Sequence, residues 1–369
     1  MSNRKTDASW HTASLTTTLS MSILHQFLNA YKVQIQDNEL CGLPDFMSPY
    51  LSMRDAVGKA ILDNLKRADT QVAPNHDVLW GLRSPFPVCA CINVHNWCNE
   101  SCIICPRHLS ENHRFELMPE QVFAEIVRQY SENGGRILTF NNFSDIFAHP
   151  SGIEYIEHAL SYPSLQVYLV TNGLNMRQSY TDRILRARFE GIVYISCHGF
   201  TEETFERVTG VRGFHAVLSN ILYLKERHPC PRRIIIQYCA DYSTDAEIRT
   251  AVDYWKKIGV SLNLFHSHTF SGNSGHNAPA AGSGRLAGCK GWGHDAGQPF
   301  YQIVIQHNGD VTLCCHDYHR SVVLGNVLKT SISEVWNSEG FHFTIGQIYA
   351  GLPSDVHFIC KRCHLAQFV

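Results

Sequence analysis

Between residues 88 and 265, strand-like runs and amphipathic helices alternate. That rhythm constrains the fold more than any other feature of the sequence. The strand-like runs are Val88–Val94, Arg136–Phe140, Leu165–Val170, Gly191–Cys197, Arg233–Cys239 and Val260–Phe265. Pro119 stands at a first-turn position, where its missing N–H is not needed. Val122, Phe123, Ile126, Val127 and Tyr130 then fall on one helical face, and Asn133-Gly134-Gly135 ends the helix. Thr244-Asp245-Ala246-Glu247 has the form of a capping box. Ile248, Ala251, Val252 and Trp255 continue its apolar stripe, and Gly259 stops it. Strands that each couple to a helix imply a parallel sheet with right-handed crossovers. Six are too few to close an eight-stranded barrel, so an open or partial (βα)6 barrel of the α/β class is predicted.

The flanks differ from this centre. Residues 1–85 read as a mostly helical extension, Ser/Thr-rich over 1–20, with helical stretches near 21–32 and 52–67 and no chemical motif. Residues 271–288 hold five Gly, three Ser and four Ala and read as a linker. Beyond it, Tyr301–Gln306 alternates as a strand, Asn308-Gly309 signals a turn, and Val311–Cys315 reads as the return strand. A helix near 331–337 and a Cys-rich end follow. The predicted organisation is an extension (1–85), a barrel (86–270), a linker (271–288) and a small module (289–369).

Charge and composition exclude several function classes. Lys+Arg is 31 against Asp+Glu 33, a formal net charge of −2, so no basic footprint for nucleic acid is present. No apolar run reaches the ~18 residues of a membrane helix. The linker holds no Gly-Lys-Ser/Thr phosphate loop, which removes the NTPase reading. Met1-Ser2-Asn3-Arg4-Lys5 has no secretory apolar region behind it, and Ser2 stands where myristoylation needs glycine. A cytoplasmic location is expected. There, 14 cysteines signal metal, catalysis or burial rather than a disulfide framework.

Cys98, Cys102 and Cys105 form Cys-x3-Cys-x2-Cys just after the first strand. Three thiolates from one loop can hold one metal centre. A cubane iron–sulfur cluster normally takes four cysteines, so three would leave one iron open to a small molecule. Chemistry in a β/α barrel gathers at this end of the strands. Buried cysteines, or a zinc ribbon pairing Cys102/Cys105 with Cys360/Cys363, is the competing reading.

Cys98-Asn99-Glu100-Ser101-Cys102-Ile103-Ile104-Cys105-Pro106 after a first strand resembles the signature of the radical S-adenosylmethionine (radical SAM) enzymes. The resemblance covers most of residues 86–369. It implies a [4Fe-4S] cluster on Cys98, Cys102 and Cys105 whose open iron binds the amino and carboxylate groups of SAM. An electron from the cluster cleaves SAM to methionine and a 5′-deoxyadenosyl radical, which removes a hydrogen atom from the substrate. Phe143–Pro150 stands in the place of the family's Gly-Glu-Pro segment, with Ser144 and Asp145 for Gly and Glu, which implies a contact to the SAM amino group. Thr171-Asn172-Gly173 after the third strand is also typical. Ile195-Ser196-Cys197-His198-Gly199, with Phe205 and Gly210, resembles the family's fourth-strand segment. It makes Ser196 a candidate for the SAM carboxylate or ribose, and His198 stands where the family commonly has Asp. Gln237 on the fifth strand is a further SAM candidate. Ile104 departs from the usual aromatic residue.

A second set of cysteines lies beyond the linker. Cys360-x2-Cys363 is a two-ligand bite, which Cys289 and one of the adjacent Cys314 and Cys315 would complete. Alternation along the return strand puts Cys315 on the face of Val311 and Leu313, so Cys314 is the better ligand. A fully coordinated cluster is expected, with a structural zinc site as the alternative. Gly309-x4-Cys314, Gly325-Asn326, Glu334-Val335-Trp336 and Cys360-x2-Cys363 resemble the SPASM or shorter twitch extension of radical SAM enzymes. That implies one auxiliary [4Fe-4S] cluster, in a module expected to cover the barrel's open side.

Seven cysteines remain: Cys41, Cys89, Cys91, Cys197, Cys230, Cys239 and Cys315. Most read as small buried hydrophobes. Cys197 and Cys239 close strands four and five, where a thiol could return a hydrogen atom to a substrate radical. Of the 21 histidines, His266, His268, His294, His316 and His319 gather around the linker and hairpin, and one could be a general base. Trp292 and Tyr318 could line a pocket. The resemblance implies a small-molecule or peptide substrate and an external one-electron donor of flavodoxin or ferredoxin type, with no nucleic acid and no membrane. The expected reactions are oxidation or epimerisation of a carbinol or sugar-like carbon, or modification of a ribosomally made peptide. A zinc-stabilised binding protein without catalysis is the reading from another class.

Overall fold

The computed structural model describes residues 80, 83–109, 115–267, 269–272, 284–289 and 298–368. The helices predicted near 21–32 and 52–67, and Cys41, His268, Trp292 and His294, lie outside the described residues. Six parallel strands form the centre: β1 (Cys89–Ile92), β2 (Ile137–Phe140), β3 (Gln166–Thr171), β4 (Val193–Ser196), β5 (Ile234–Cys239) and β6 (Ser261–Phe265). Between them run α1 (Glu120–Glu132), α2 (Gly152–Leu160), α3 (Gln178–Arg186), α4 (Glu202–Thr209), α5 (Phe214–Arg227) and α6 (Asp245–Ile258).

Local chemistry fixes these elements. In α1, Phe123, Ile126, Val127 and Tyr130 are buried, and the Tyr130 hydroxyl donates to the carbonyls of Val88 (2.6 Å) and Ile137 (2.9 Å). One side chain thus pins the starts of β1 and β2. At the head of α6 the Thr244 side chain accepts from Glu247 N–H, as a cap should. The Glu247 carboxylate does not turn back to close the predicted box. It accepts from Phe200 N (2.7 Å) and Thr204 Oγ1 (2.9 Å), which ties α6 to the segment after β4. A closed capping box occurs instead at Ser331 and Glu334, on α7 (Ile332–Trp336), which precedes α8 (Glu339–Tyr349).

The sheet continues past β1. Beyond the linker, β8 (Gln302–Ile305) pairs in parallel with β1, Cys89 opposite Gln302 and Ile92 opposite Ile305. β9 (Asp310–Thr312) and β10 (Val323–Asn326) follow antiparallel, in the order β10-β9-β8-β1-β2-β3-β4-β5-β6. The module extends the sheet at the β1 edge, one of the two edges that bound the barrel's open side. An unpaired edge offers N–H and C=O groups to an added strand, and β8, with all four residues buried, satisfies them. The end of the predicted linker is also a strand: β7 (Leu286–Cys289) pairs with β11 (Ala366–Phe368), Cys289 opposite Ala366.

The two faces of the central sheet differ. Ala90, Ile92, Leu138, Phe140, Val167, Leu169, Val193, Ile195, Ile236, Leu262 and Leu264 are buried in the main hydrophobic core with the helices. The alternate positions carry Thr139, Tyr168, Tyr194, Ser196, Gln237 and Asn263 among Cys91, Ile137, Val170, Ile235 and Phe265, so the inner face mixes polar and apolar side chains. Among the described residues no helix is long and apolar enough to cross a membrane.

Candidate functional site

The loop after β1 is docked on the end of α4. Ser101 N–H donates to Thr209 O and Ile103 N–H to Val208 O, both 2.9 Å. Arg107 donates to the carbonyls of Cys98 (3.1 Å) and Glu100. Asn172, after β3, donates to Asn99 Oδ1 (2.7 Å) and reaches Cys98 Sγ (3.6 Å). These contacts hold Cys98, Cys102 and Cys105 together at the C-terminal end of the barrel. Burial pushes the Cys98 thiol up to about 12 and raises Cys102 and Cys105 as well. Thiolates here therefore need a cationic metal centre as compensation.

A single ion draws its ligand atoms closer together than a cluster does. Two thiolates on one zinc lie at most about 4.6 Å apart, twice the Zn–S bond length of about 2.3 Å. Among the described residues, the trio of ligand atoms that closes to within 4.8 Å is His316, Cys363 and His364. Cys98, Cys102 and Cys105 in one loop, and Cys289, Cys314, Cys360 and Cys363 around one cavity, are all-thiolate donor sets of the kind that holds an iron–sulfur cluster. The zinc-ribbon pairing does not form: the Cys102 thiol lies near those of Cys98 and Cys105, whereas the Cys360 thiol lies near those of Cys289 and Cys363.

The residues expected around SAM fall into two groups. Ser196 and Gln237 sit opposite each other on β4 and β5, and Gln237 Oε1 accepts from Asn263 Nδ2 (2.7 Å). This polar row faces inward. Asp145 is tied to the protein through both carboxylate oxygens. Its Oδ1 accepts from Phe147 N–H (2.9 Å), and its Oδ2 accepts from Thr171 Oγ1 and Asn172 N–H, both 2.7 Å. Three of a carboxylate's about four lone-pair sites are taken by the protein, so Asp145 is a strut between the ends of β2 and β3. Ser144 Oγ donates to Asn93 Oδ1 (2.6 Å). His198 is buried, accepts from Cys239 N–H at 3.3 Å, and is lowered by burial to about 4, so it is neutral at pH 7.

The two candidate hydrogen donors separate. Cys197 belongs to the helix-side core, away from the inner face. Cys239 packs instead with Ile104 and Val208, beside Cys102, under the cluster loop. Sequence reasoning missed Glu100, a buried carboxyl raised by burial to about 8 that accepts from Cys102 Sγ at 3.1 Å. It also missed the contact of Asp241 with His266 and Ser267. The one available signal was that both ends follow strands directly.

Cys289, Cys314, Cys360 and Cys363 surround one small cavity, whose walls include Leu313, Ile348 and Leu365. β9 ends at Thr312, so Cys314 and Cys315 lie beyond the strand and the alternation used to choose between them does not apply. Cys314 lines the cavity nonetheless, while buried Cys315 lies near Cys89 and Cys91. Burial raises Cys314, Cys360 and Cys363, as in the first loop.

Two family models match this arrangement. Residues 92–255 match the radical SAM superfamily, and residues 297–364 match SPASM, the iron–sulfur cluster-binding domain. The chain belongs to the radical SAM superfamily. A radical SAM domain implies a four-iron cluster and SAM, and a SPASM domain implies auxiliary iron–sulfur clusters. No curated protein sequence matches the chain significantly. Solved structures do match in fold. BtrN in complex with AdoMet and 2-DOIA is 16% identical with a TM-score of 0.51, over 77% of this chain and 94% of BtrN. Streptococcus suis SuiB bound to precursor peptide SuiA is 13% identical with a TM-score of 0.59, over 94% of this chain and 83% of SuiB. Native anSMEcpe with bound AdoMet is 15% identical with a TM-score of 0.52, over 75% of this chain and 86% of that chain.

Proposed function

We propose that this radical SAM enzyme oxidises a carbinol carbon of a small, sugar- or cyclitol-like molecule. The supporting observation is a polar row on the inner face: Thr139, Ser196, Gln237 and Asn263 offer hydrogen bonds suited to a polyol. Cys98, Cys102 and Cys105 would hold the catalytic cluster, which supplies the electron that cleaves SAM. Cys289, Cys314, Cys360 and Cys363 would hold the auxiliary one, fully coordinated and so suited to take up an electron. Ser196 and Gln237 line the SAM and substrate space, and Asn172 orients the loop at Cys98. The competing outcome, epimerisation, needs a thiol beside the substrate radical. Cys197 points away, which favours oxidation. Cys239 stays the thiol to test. A flavodoxin- or ferredoxin-type donor and a cytoplasmic setting complete the reading.

A peptide substrate is the second reading. It is favoured by the likeness to peptide-bound SuiB over 94% of this chain. Anaerobic turnover in deuterated water with a carbinol library and a peptide library separates the outcomes. A carbonyl product supports the proposal. Solvent deuterium at carbon supports epimerisation, and a modified peptide supports the second reading.

A further inference from the structure

We propose that His266, oriented by Asp241, is the proton acceptor for the substrate's carbinol hydroxyl at the mouth of the barrel. This deepens the carbinol-oxidation reading and rests on it. Asp241 lies two residues past β5 and His266 one residue past β6, at the same end of the sheet as the cluster loop after β1. Cys239, the last residue of β5, joins Ile104 and Val208 in a patch against which Cys102 and Phe265 pack. The dyad therefore borders the residues that carry the SAM-cleaving centre.

The local hydrogen bonds define a base. Asp241 Oδ1 accepts from His266 Nδ1, and Oδ2 accepts from Ser267 N–H (2.7 Å) and Ser267 Oγ (2.5 Å). These donors hold the Asp241 carboxyl down at about 2 in spite of its partial burial. With Nδ1 committed as donor, the neutral ring presents the Nε2 lone pair outward, and Nε2 has no hydrogen bond among the described residues. The ring is 53% exposed, so a substrate can reach it. The Asp241 hydrogen bond raises His266 above the ordinary histidine range. Among the described residues, the other groups around the dyad are the Cys239 thiol, 3.9 Å from Asp241 Oδ2, and Tyr242, whose carbonyl accepts from Arg207 on α4. Neither His198 nor Cys239 can serve in its place. Both are buried, His198 is held near 4 and Cys239 is raised to about 12.

The step balances as follows. The carbinol C–H hydrogen atom leaves with the 5′-deoxyadenosyl carbon as 5′-deoxyadenosine. The hydroxyl proton passes to His266 Nε2, which becomes imidazolium. The remaining electron leaves to an oxidised iron–sulfur centre, the oxidant of this step, and the C=O bond forms.

The test uses reconstituted wild-type enzyme and the His266→Gln, His266→Gly and Asp241→Asn variants, with SAM, dithionite and either 2-DOIA or myo-inositol. Carbonyl product is scored per 5′-deoxyadenosine released, across pH, and iron content checks that each variant is folded. A positioned general base contributes about 10²–10⁴-fold. His266→Gln should lower the ratio by about 10²-fold or more, and added imidazole should restore it in His266→Gly. The wild-type ratio should rise with pH as His266 loses its proton, and Asp241→Asn should move that limb to lower pH. Independently of turnover, ¹³C NMR of the His266 ring in the oxidised holoenzyme should show the same downward move in Asp241→Asn. Wild-type turnover with an unchanged ratio in His266→Gln, or a His266 titration indifferent to Asp241→Asn, overturns the proposal alone. Deoxyadenosine without carbonyl from either probe in the wild type overturns the carbinol reading and the proposal together.

Discussion

Replacing Asp145 with asparagine separates a structural strut from a SAM contact. The Asp145 carboxylate accepts from Phe147 N–H on one oxygen and from Thr171 Oγ1 and Asn172 N–H on the other. An amide has one oxygen. Its better orientation keeps the two bonds on the Thr171 side and turns the NH2 group against Phe147 N–H. One charge-assisted hydrogen bond is lost and a buried donor is left facing a donor, a combined cost of about 2–4 kcal/mol. For a domain of this size, that lowers the midpoint of thermal unfolding by on the order of 5–15 °C. Differential scanning fluorimetry of the anaerobically purified protein without SAM reads the effect. Asn172 would also loosen its hold on Asn99 and Cys98, so iron content should fall in the same variant. A residue whose task is to bind SAM would leave the SAM-free midpoint unchanged and weaken SAM binding alone. That result for Asp145→Asn would refute the strut.

Other perturbations follow from the same geometry. Reconstituted wild type should hold about eight irons, two four-iron clusters. Cys360→Ala with Cys363→Ala should lower the count to about four and leave the first cluster's SAM-binding spectrum in place; retention of all the iron would contradict the ligand set. Burial lowers His95, His149 and His198 to about 4, below the ordinary value near 6.5. The unfolded chain therefore takes up protons first, so stability holds above about pH 6.5 and is lost as pH falls toward 4. His198→Gln should flatten that slope in thermal melts from pH 7 to 5, and an unchanged slope would show that His198 is already charged in the fold.

Much of the barrel was legible because each strand and helix carries its own signals. The six predicted runs overlap β1 to β6, and the apolar stripe of α1 is the buried one. What escaped depends on contacts between distant segments. The Thr244–Glu247 box is half closed because Phe200 and Thr204 offer Glu247 better donors than its own cap. β8 joins β1 because that edge is open, a fact of the folded sheet rather than of either strand. At the site, the motif located Asp145 but not its partners, which come from the end of β3. Cys197 follows β4 and Cys239 ends β5, and the alternation along each strand puts one in the core and the other beneath the cluster loop. Asp241 and His266 stand 25 positions apart and meet only because β5 and β6 are neighbours.

The central claim is that Cys98, Cys102 and Cys105 form a SAM-cleaving centre. Anaerobic protein, reconstituted with iron and sulfide and reduced with dithionite, is incubated with SAM and assayed for 5′-deoxyadenosine. Wild type should release it, and the triple variant with alanine at Cys98, Cys102 and Cys105 should release none while keeping the auxiliary iron. A colourless, zinc-containing wild type that releases no 5′-deoxyadenosine, or a triple variant that still cleaves SAM, would contradict it.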